Sequence, residues 1–277
     1  MTAGRIETSE GTLPVDAVAS AEAGAARRRL LIRIAQVAVG AAILLAWEFA
    51  SGRLIDPFFI SAPMDVYWKL VQWIERGTLL THAGYTFYAT ALGFAIGTAA
   101  GFAVGFAFGR SATVAAIFDP YVTAIYCLPK IALAPLFIMW FGIGIESKIA
   151  MSAAVVFFLV FLNTFAGVRD VNPIHIHTTR IMGASEWQLL RIVIAPSAAA
   201  WVLTGLKVSV PYALIGTVVG ELISSNRGIG FLIGQAAGLF DTAGVFAGLV
   251  VLAVAGIIIN GVLKRLERHV LRWRTAA

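Results

Sequence analysis

The sequence predicts an all-α, polytopic membrane protein with about six transmembrane helices, and three observations lead there. Of the 277 residues, 59% are hydrophobic and only 13% are charged, whereas a soluble domain carries about 25% charge. The apolar residues fall in long runs at 30–50, 84–108, 114–141, 149–168, 198–222 and 242–263, each near or above the roughly 20 residues that cross a bilayer as a helix. With the N-terminus in the cytoplasm, six spans place fourteen Lys and Arg residues inside. Arg53, Lys69, Arg76, Lys148 and Arg227 fall outside, and Lys130 and Lys207 at membrane depth. That asymmetry obeys the positive-inside rule.

Residues 1–29 read as a disordered cytoplasmic tail, rich in small residues and carrying Glu7, Glu10, Asp16 and Glu22. Arg27, Arg28 and Arg29 precede an apolar run as in a signal peptide. The cluster lies too far into the chain, however, and Glu48 stands where small cleavage-site residues belong, so 30–50 is expected to be an uncleaved first span. Residues 51–82 then form an external loop, with turns at Asp56-Pro57 and Ser61-Ala62-Pro63. Within it, 64–76 places Val66, Tyr67, Leu70, Val71, Trp73 and Ile74 on one broad helical face. That helix either lies at the external interface, with Trp68 and Trp73 near the headgroups, or packs on the protein's own rim.

Residues 83–265 are the transmembrane core. Its first span carries Gly93, Gly97, Gly101, Gly105 and Gly109, one every fourth residue, a seam that lets a neighbouring span or a second copy approach closely in lipid. The next span is broken by Pro129 and Pro135, with Lys130 between them. Such breaks persist where backbone is buried in protein or lines a water-filled path, so these three residues are pathway candidates. A kinked helix with Lys130 snorkelling to the headgroups is the other reading. Farther on, Glu221 closes the 198–222 span near its external end, either as a gate residue or as a solvated helix end. The polar loop 223–241 ends in Phe240-Asp241-Thr242, a cap for the last span. Residues 266–277 return to the cytoplasm as a tail.

The most specific local pattern lies in the cytoplasmic loop 169–196. Asn172 is a helix cap with Pro173 at the first helical position. Gly183 suits the left-handed residue that ends a helix. Ser185 and Gln188 form a capping-box pattern for a second helix, which Pro196 is expected to close. Two short helices joined at a glycine on a membrane surface point to a docking element for a cytoplasmic protein.

Other chemistries find little purchase. One cysteine, Cys127, excludes an intramolecular disulfide, and the four histidines show no metal-ligand spacing. The chain holds no nucleophile–base constellation and no Walker motif, so it is read as neither an enzyme nor an ATP binder. The net charge of +6 reflects topology and lipid contact, not nucleic-acid binding.

The segment from Gly183 to Pro196 resembles the signature loop of ABC importer permeases. Gly183 matches that loop's glycine, Val193 its aliphatic position and Pro196 its proline. His177, Thr178 and Thr179 stand where Glu-Ala-Ala is usual, and Ala195 replaces a leucine. Residues 135–144, 162–169, 203–207, 228–233, 240–242 and 266–273 are similar to the nitrate/sulfonate/taurine branch of these permeases, so the likeness covers roughly residues 30–273. It implies a type I importer fold, with Gly183, Ala184, Ser185, Trp187, Val193 and Pro196 coupling to cytoplasmic ABC ATPase subunits that bind ATP and Mg. It further implies an external substrate-binding protein, a second permease copy and a small anion as substrate. A vitamin precursor or aromatic acid is the alternative within the family. A stand-alone secondary transporter would need inverted repeats and midplane ionisable clusters, and neither is evident.

Overall fold

The computed structural model of the chain describes residues 15–270, with side chains described for 27–265 except at 29, 112 and 264. The remainder of both expected tails lies outside the described residues. The chain divides into two compact units, Met1–Pro63 and Met64–Ala277.

In the first unit a single helix, α1 (Val15–Ala50), begins well inside the expected tail. Its start is rich in alanine, the strongest helix former, which extends the helix back from the apolar run. Beyond Ala50 the chain turns as expected at Asp56, whose carboxylate accepts from the Phe58 N–H at 2.9 Å. The Ser51 hydroxyl then ties to the Ile60 carbonyl at 2.8 Å.

The second unit is a helical bundle built around α6 (Ile145–Arg169), which packs between α3 (Thr78–Gly109) and α9 (Ala195–Ile223). The glycine seam explains the first of these packings. A methyl group built on Gly97, Gly101 or Gly105 would lie 2.5–2.6 Å from the carbonyl of Ala153, Phe157 or Phe161 on α6. The seam therefore serves a neighbouring span, and van der Waals contact between close backbones replaces the hydrophobic drive that lipid does not supply. Beside the seam, Val156 and Val160, which also border Gly97 and Gly101, meet Ala213 of α9, with Phe94 and Leu206 packed around them. The Ser152 hydroxyl donates to the Ala213 carbonyl at 3.1 Å across the same interface. The last helix, α11 (Thr242–Val270), joins through Leu252 and Ala255 against Leu214 and Val218.

Among the described residues, five helices are long and apolar enough to cross a membrane, or six if one bent pair counts as a span. That pair is α4 (Ala112–Cys127) and, after a 3₁₀ turn over Lys130–Leu133, α5 (Ala134–Phe141). The break expected at Pro129 is a bend of 83°. Leu128 and Pro129 are both extended there, with ψ of 133° and 100°; Leu128 is so because the residue before a proline is pushed out of the helical region.

Elsewhere the structure departs from expectation. The helix expected outside, α2 (Pro63–Glu75), buries Val66 and Trp73 while leaving Tyr67 and Trp68 exposed. Trp73 thus packs on the protein's own rim and is not a headgroup anchor. Pro196 does not close the second helix of the 169–196 segment. The short helix α8 (Glu186–Leu189) runs through a π-turn over Leu190–Ile194 directly into α9. The Ala195 N–H bonds back to Leu190, one residue farther than in an α-helix. The wider turn lets the helix run past Pro196, which has no N–H to bond back, without ending there. Finally, the 223–241 segment is not simply a loop. It contains α10 (Ile229–Gly238), whose existence depends on the contacts described next.

Candidate functional site

Two capped structures lie at opposite ends of α6 and α9. Between them runs about 37 Å of helix, the length of the 25 residues of α6.

At the end where α6 terminates, Asn172 starts α7 (Pro173–Ile181), its side chain accepting from the Ile174 N–H at 2.9 Å. α7 stops in a Schellman motif. Gly183 is left-handed at φ +83°, its N–H bonds to Arg180 at 2.9 Å, and the Ala184 N–H reaches Thr179 at 3.2 Å. The capping box of α8 forms as well, with the Ser185 N–H donating to the Gln188 side chain at 2.8 Å and the Gln188 N–H to the Ser185 hydroxyl at 3.3 Å. Glu186 ties the two helices, accepting from Arg180 at 2.9 Å and pairing with Arg110 beyond α3 at 3.8 Å. Leu189, 1% exposed, anchors α8. Around that anchor Ile174, Ile181, Met182, Trp187 and Ile192 are all at least 65% exposed. Of the signature residues, Ser185 and Trp187 are exposed, Val193 is half-buried, and Pro196 is exposed at the start of α9.

The opposite end is buried and polar. Glu221 is 1% exposed, which excludes a solvated helix end. Its carboxylate accepts from the Thr86 hydroxyl at 2.9 Å and from the Gly230 N–H at 2.8 Å. The same Thr86 oxygen accepts from the Ile229 N–H at 2.8 Å, and His82 Nδ1 from the Gly228 N–H at 3.0 Å. A backbone N–H only donates, so that imidazole nitrogen carries no proton. Three successive N–H groups at the start of α10 are thus satisfied by side chains of α3 and α9. These are the donors that a helix start leaves orphaned. Lys148, expected in an external loop, is instead fully buried on α6. It donates to the Ile143 carbonyl at 2.8 Å, to the Ser147 hydroxyl at 3.3 Å and to the Ser224 carbonyl. Sequence reading missed Lys148, Thr86 and His82, since a charged residue near a span end looks solvated until its neighbours are known.

The pathway candidates do not form one cluster. Pro129 and Lys130 sit at the bend, Pro135 lies in the first turn of α5 where it costs nothing, and Glu221 closes α9. Lys130 does not reach outward. Its ammonium donates to the Tyr126 carbonyl and lies 4.2 Å and 5.2 Å from the ring centroids of Tyr126 and Phe158. The Tyr126 carbonyl is the one that a continuous helix would have bonded to the Lys130 backbone N–H, so the side chain replaces what the bend removes. Beside it opens a cavity of about 150 Å³ lined by Tyr126, Lys130, Val155, Phe158, Leu159 and Tyr212. Lys207 lines a larger, mostly apolar cavity of about 540 Å³ between α9 and α11.

Comparison with known proteins bears on both ends. The profile of the family described as "Binding-protein-dependent transport system inner membrane component" matches residues 93–272. A putative aliphatic sulfonates transport permease protein of Bacillus subtilis is 32% identical over 237 residues, 85% of this chain and 86% of its own. A formylaminopyrimidine transport permease protein of Halalkalibacterium halodurans is 30% identical over 232 residues, 84% of this chain and 92% of its own. Among solved structures, a chain of an amino acid ABC transporter superposes with a TM-score of 0.56 at 17% identity, covering 73% of this chain and 97% of that one. At that identity the likeness speaks for the fold alone.

Proposed function

Because the chain belongs to the family of binding-protein-dependent transport system inner membrane components, we propose that it docks through α7 and α8 on a cytoplasmic ATPase and forms the translocation path for a small anion. It is an ABC importer permease, an all-helical multi-pass membrane subunit and not an enzyme. Such permeases work with ATPase subunits and binding proteins. In this reading residues 169–196 face the cytoplasm with both termini. Residues 51–82 lie outside, 83–265 form the core, and a second copy of the chain in membrane lipid completes the path.

One observation carries the docking assignment: five exposed apolar side chains crowd onto α7, α8 and the turns that follow each of them, and the starts of both helices are capped. Exposed apolar surface beside rigid backbone marks an interaction site. Glu186 is the sole acid among residues 171–200 and is already paired within the chain. With His177 at the usual acid position, attachment rests on apolar contact rather than on a salt bridge to the ATPase. ATP drives transport in this scheme by binding one arrangement of the ATPase pair better than the other, which shifts the permease between inward- and outward-facing states. Glu221, clasping the far end, acts as a gate element that moves with α9.

Replacing Gly183 with leucine tests the docking. A left-handed conformation costs an ordinary residue roughly 1–2 kcal/mol, and space around Gly183 is open, so the change re-aims α8 without a core clash. The variant is expected to insert in the membrane and lose the ATPase on co-purification. Unchanged co-purification would overturn the assignment.

The small anion is a sulfonate, taurine or nitrate-like ion, in line with the sulfonate permease relative. A second reading, a vitamin precursor, is favoured by the formylaminopyrimidine permease relative. Isolating the complete complex with its binding protein, and screening that protein against both classes of ligand, decides between them.

A further inference from the structure

We infer that the cavity at the bend between α4 and α5 is a transit site for a small monoanion with a short apolar tail, such as a short-chain alkanesulfonate, held by Lys130 and the Tyr126 and Tyr212 side chains. The inference rests on the reading of the chain as an anion permease and adds a site and a ligand shape to it.

Charge comes first. An ionisable residue within a span is costly and is retained where it faces a cavity or a partner. Among the described residues no carboxylate pairs with Lys130. The other lining residues, Tyr126, Val155, Phe158, Leu159 and Tyr212, include no acid. The cavity therefore presents one uncompensated positive charge.

Geometry then selects the ligand. Donation to the Tyr126 carbonyl takes one of the three ammonium N–H donors and fixes the head group beneath two aromatic rings. Two donors remain for an acceptor-rich group. Val155, Phe158 and Leu159 supply apolar wall on the remaining sides. A bare inorganic ion would leave that wall idle, whereas a short alkyl tail covers it. The volume of about 150 Å³ corresponds to roughly five waters at about 30 Å³ each. It falls well below the roughly 300–1,000 Å³ of sites for drug-sized ligands. A short-chain alkanesulfonate matches that volume better than a fused-ring vitamin does. The bend itself creates the site, since a straight helix would satisfy the Tyr126 carbonyl from its own backbone. A transit site must also release what it holds, so weak, saturable binding is expected.

The test uses the permease–ATPase complex in nanodiscs without a binding protein, with ethanesulfonate as probe and its neutral analogue ethyl methyl sulfone as control. Saturation-transfer NMR should show saturable ethanesulfonate binding and at least tenfold weaker binding of the sulfone. Lys130→Met should weaken ethanesulfonate binding at least tenfold, while Lys130→Arg, which keeps the charge, should stay within about threefold. Tyr212→Phe, a milder change that guards against misfolding, should cost about fivefold, the weight of one ordinary hydrogen bond. Binding to Lys130→Met equal to wild type, equal binding of the neutral sulfone, or no binding to an intact wild-type complex would each overturn the site. Failure of the ATPase to co-purify with the wild-type chain would instead overturn the docking assignment, and a binding protein that takes a vitamin precursor and no anion would overturn the anion reading on which the site rests.

Discussion

Helix starts at the two ends of this bundle are capped in opposite ways. α7 and α8 carry their caps in their own sequence, Asn172 and Ser185, each within three residues of the N–H it satisfies and exposed to solvent. α10 has no cap of its own. Its N–H groups are satisfied by Glu221 on α9 and by Thr86 and His82 on α3, and the last two lie 143 and 146 residues away from their partners in the chain. A locally capped helix can keep its shape while its surroundings move, which suits a docking element. A helix capped from its neighbours exists only while packed against them, so α10 moves with α3 and α9 or unravels.

The largest effect that follows is at Glu221. Glu221→Ala leaves the Gly230 N–H without its acceptor in a buried site, and it leaves the Thr86 hydroxyl only the His82 carbonyl at 3.2 Å in place of the carboxylate. A buried donor left unsatisfied costs about 1–3 kcal/mol and the cavity left by the lost side chain adds roughly 2, about 3–5 kcal/mol together. In a chain of this size that lowers the midpoint of thermal unfolding in detergent by roughly 6–15 °C. Glu221→Gln keeps an acceptor for Gly230 and should lose less than half as much. Equal midpoints for wild type and Glu221→Ala would mean that α10 does not depend on its distant caps.

The same contrast explains what was legible in the sequence. The caps at Asn172, Gly183 and Ser185 were readable because motif and partner lie within a single turn. The glycine seam was half-readable. Its four-residue period shows in the chain, but whether α6 or a second copy fills it does not. α10 was invisible because Gly228, Gly230, Gly234 and Gly238 argue against a helix, and the side chains that overrule them are remote. Lys148 was misplaced for a related reason: its acceptors Ile143 and Ser147 are near, but Ser224, which completes its burial, is 76 residues on. At Lys130 the charge and the prolines announced a special site. Tyr212 and Phe158, which make it a cavity, could be found only in the fold.

A smaller effect is expected at the local cap. Ser185→Ala removes the acceptor of the Gln188 N–H, worth about 1 kcal/mol. The loss is confined to α8, so the thermal midpoint should scarcely move. Hydrogen exchange of the Gln188 amide should speed up by about fivefold, as expected for local fraying of that energy. A drop in midpoint comparable with that of Glu221→Ala would erase the distinction between the two ends.

The smallest effect concerns α11, whose cap is intermediate between the two kinds. Asp241 accepts locally from the Gly244 N–H at 2.9 Å, yet it also pairs with Lys69 of α2, far away in the chain. Burial alone would raise the Asp241 carboxyl, but the Lys69 hydrogen bond, the Gly244 N–H and the Lys69 charge outweigh it and hold it below the usual carboxylate range. With the folded value lowered, stabilisation is complete above the unfolded value of about 3.9. It drains away as pH falls through the folded value. Both side chains keep about a quarter to a third of their exposure, so solvent screening limits the contribution to less than about 1 kcal/mol. Between pH 5 and 3, Asp241→Asn should therefore lose stability less steeply than wild type, by under 1 kcal/mol. Lys69→Met should shrink the same pH-dependent component while leaving the Gly244 cap in place. If Lys69→Met leaves the slope unchanged while Asp241→Asn flattens it, the cap is purely local, and α11 belongs with α7 and α8 rather than between the two kinds.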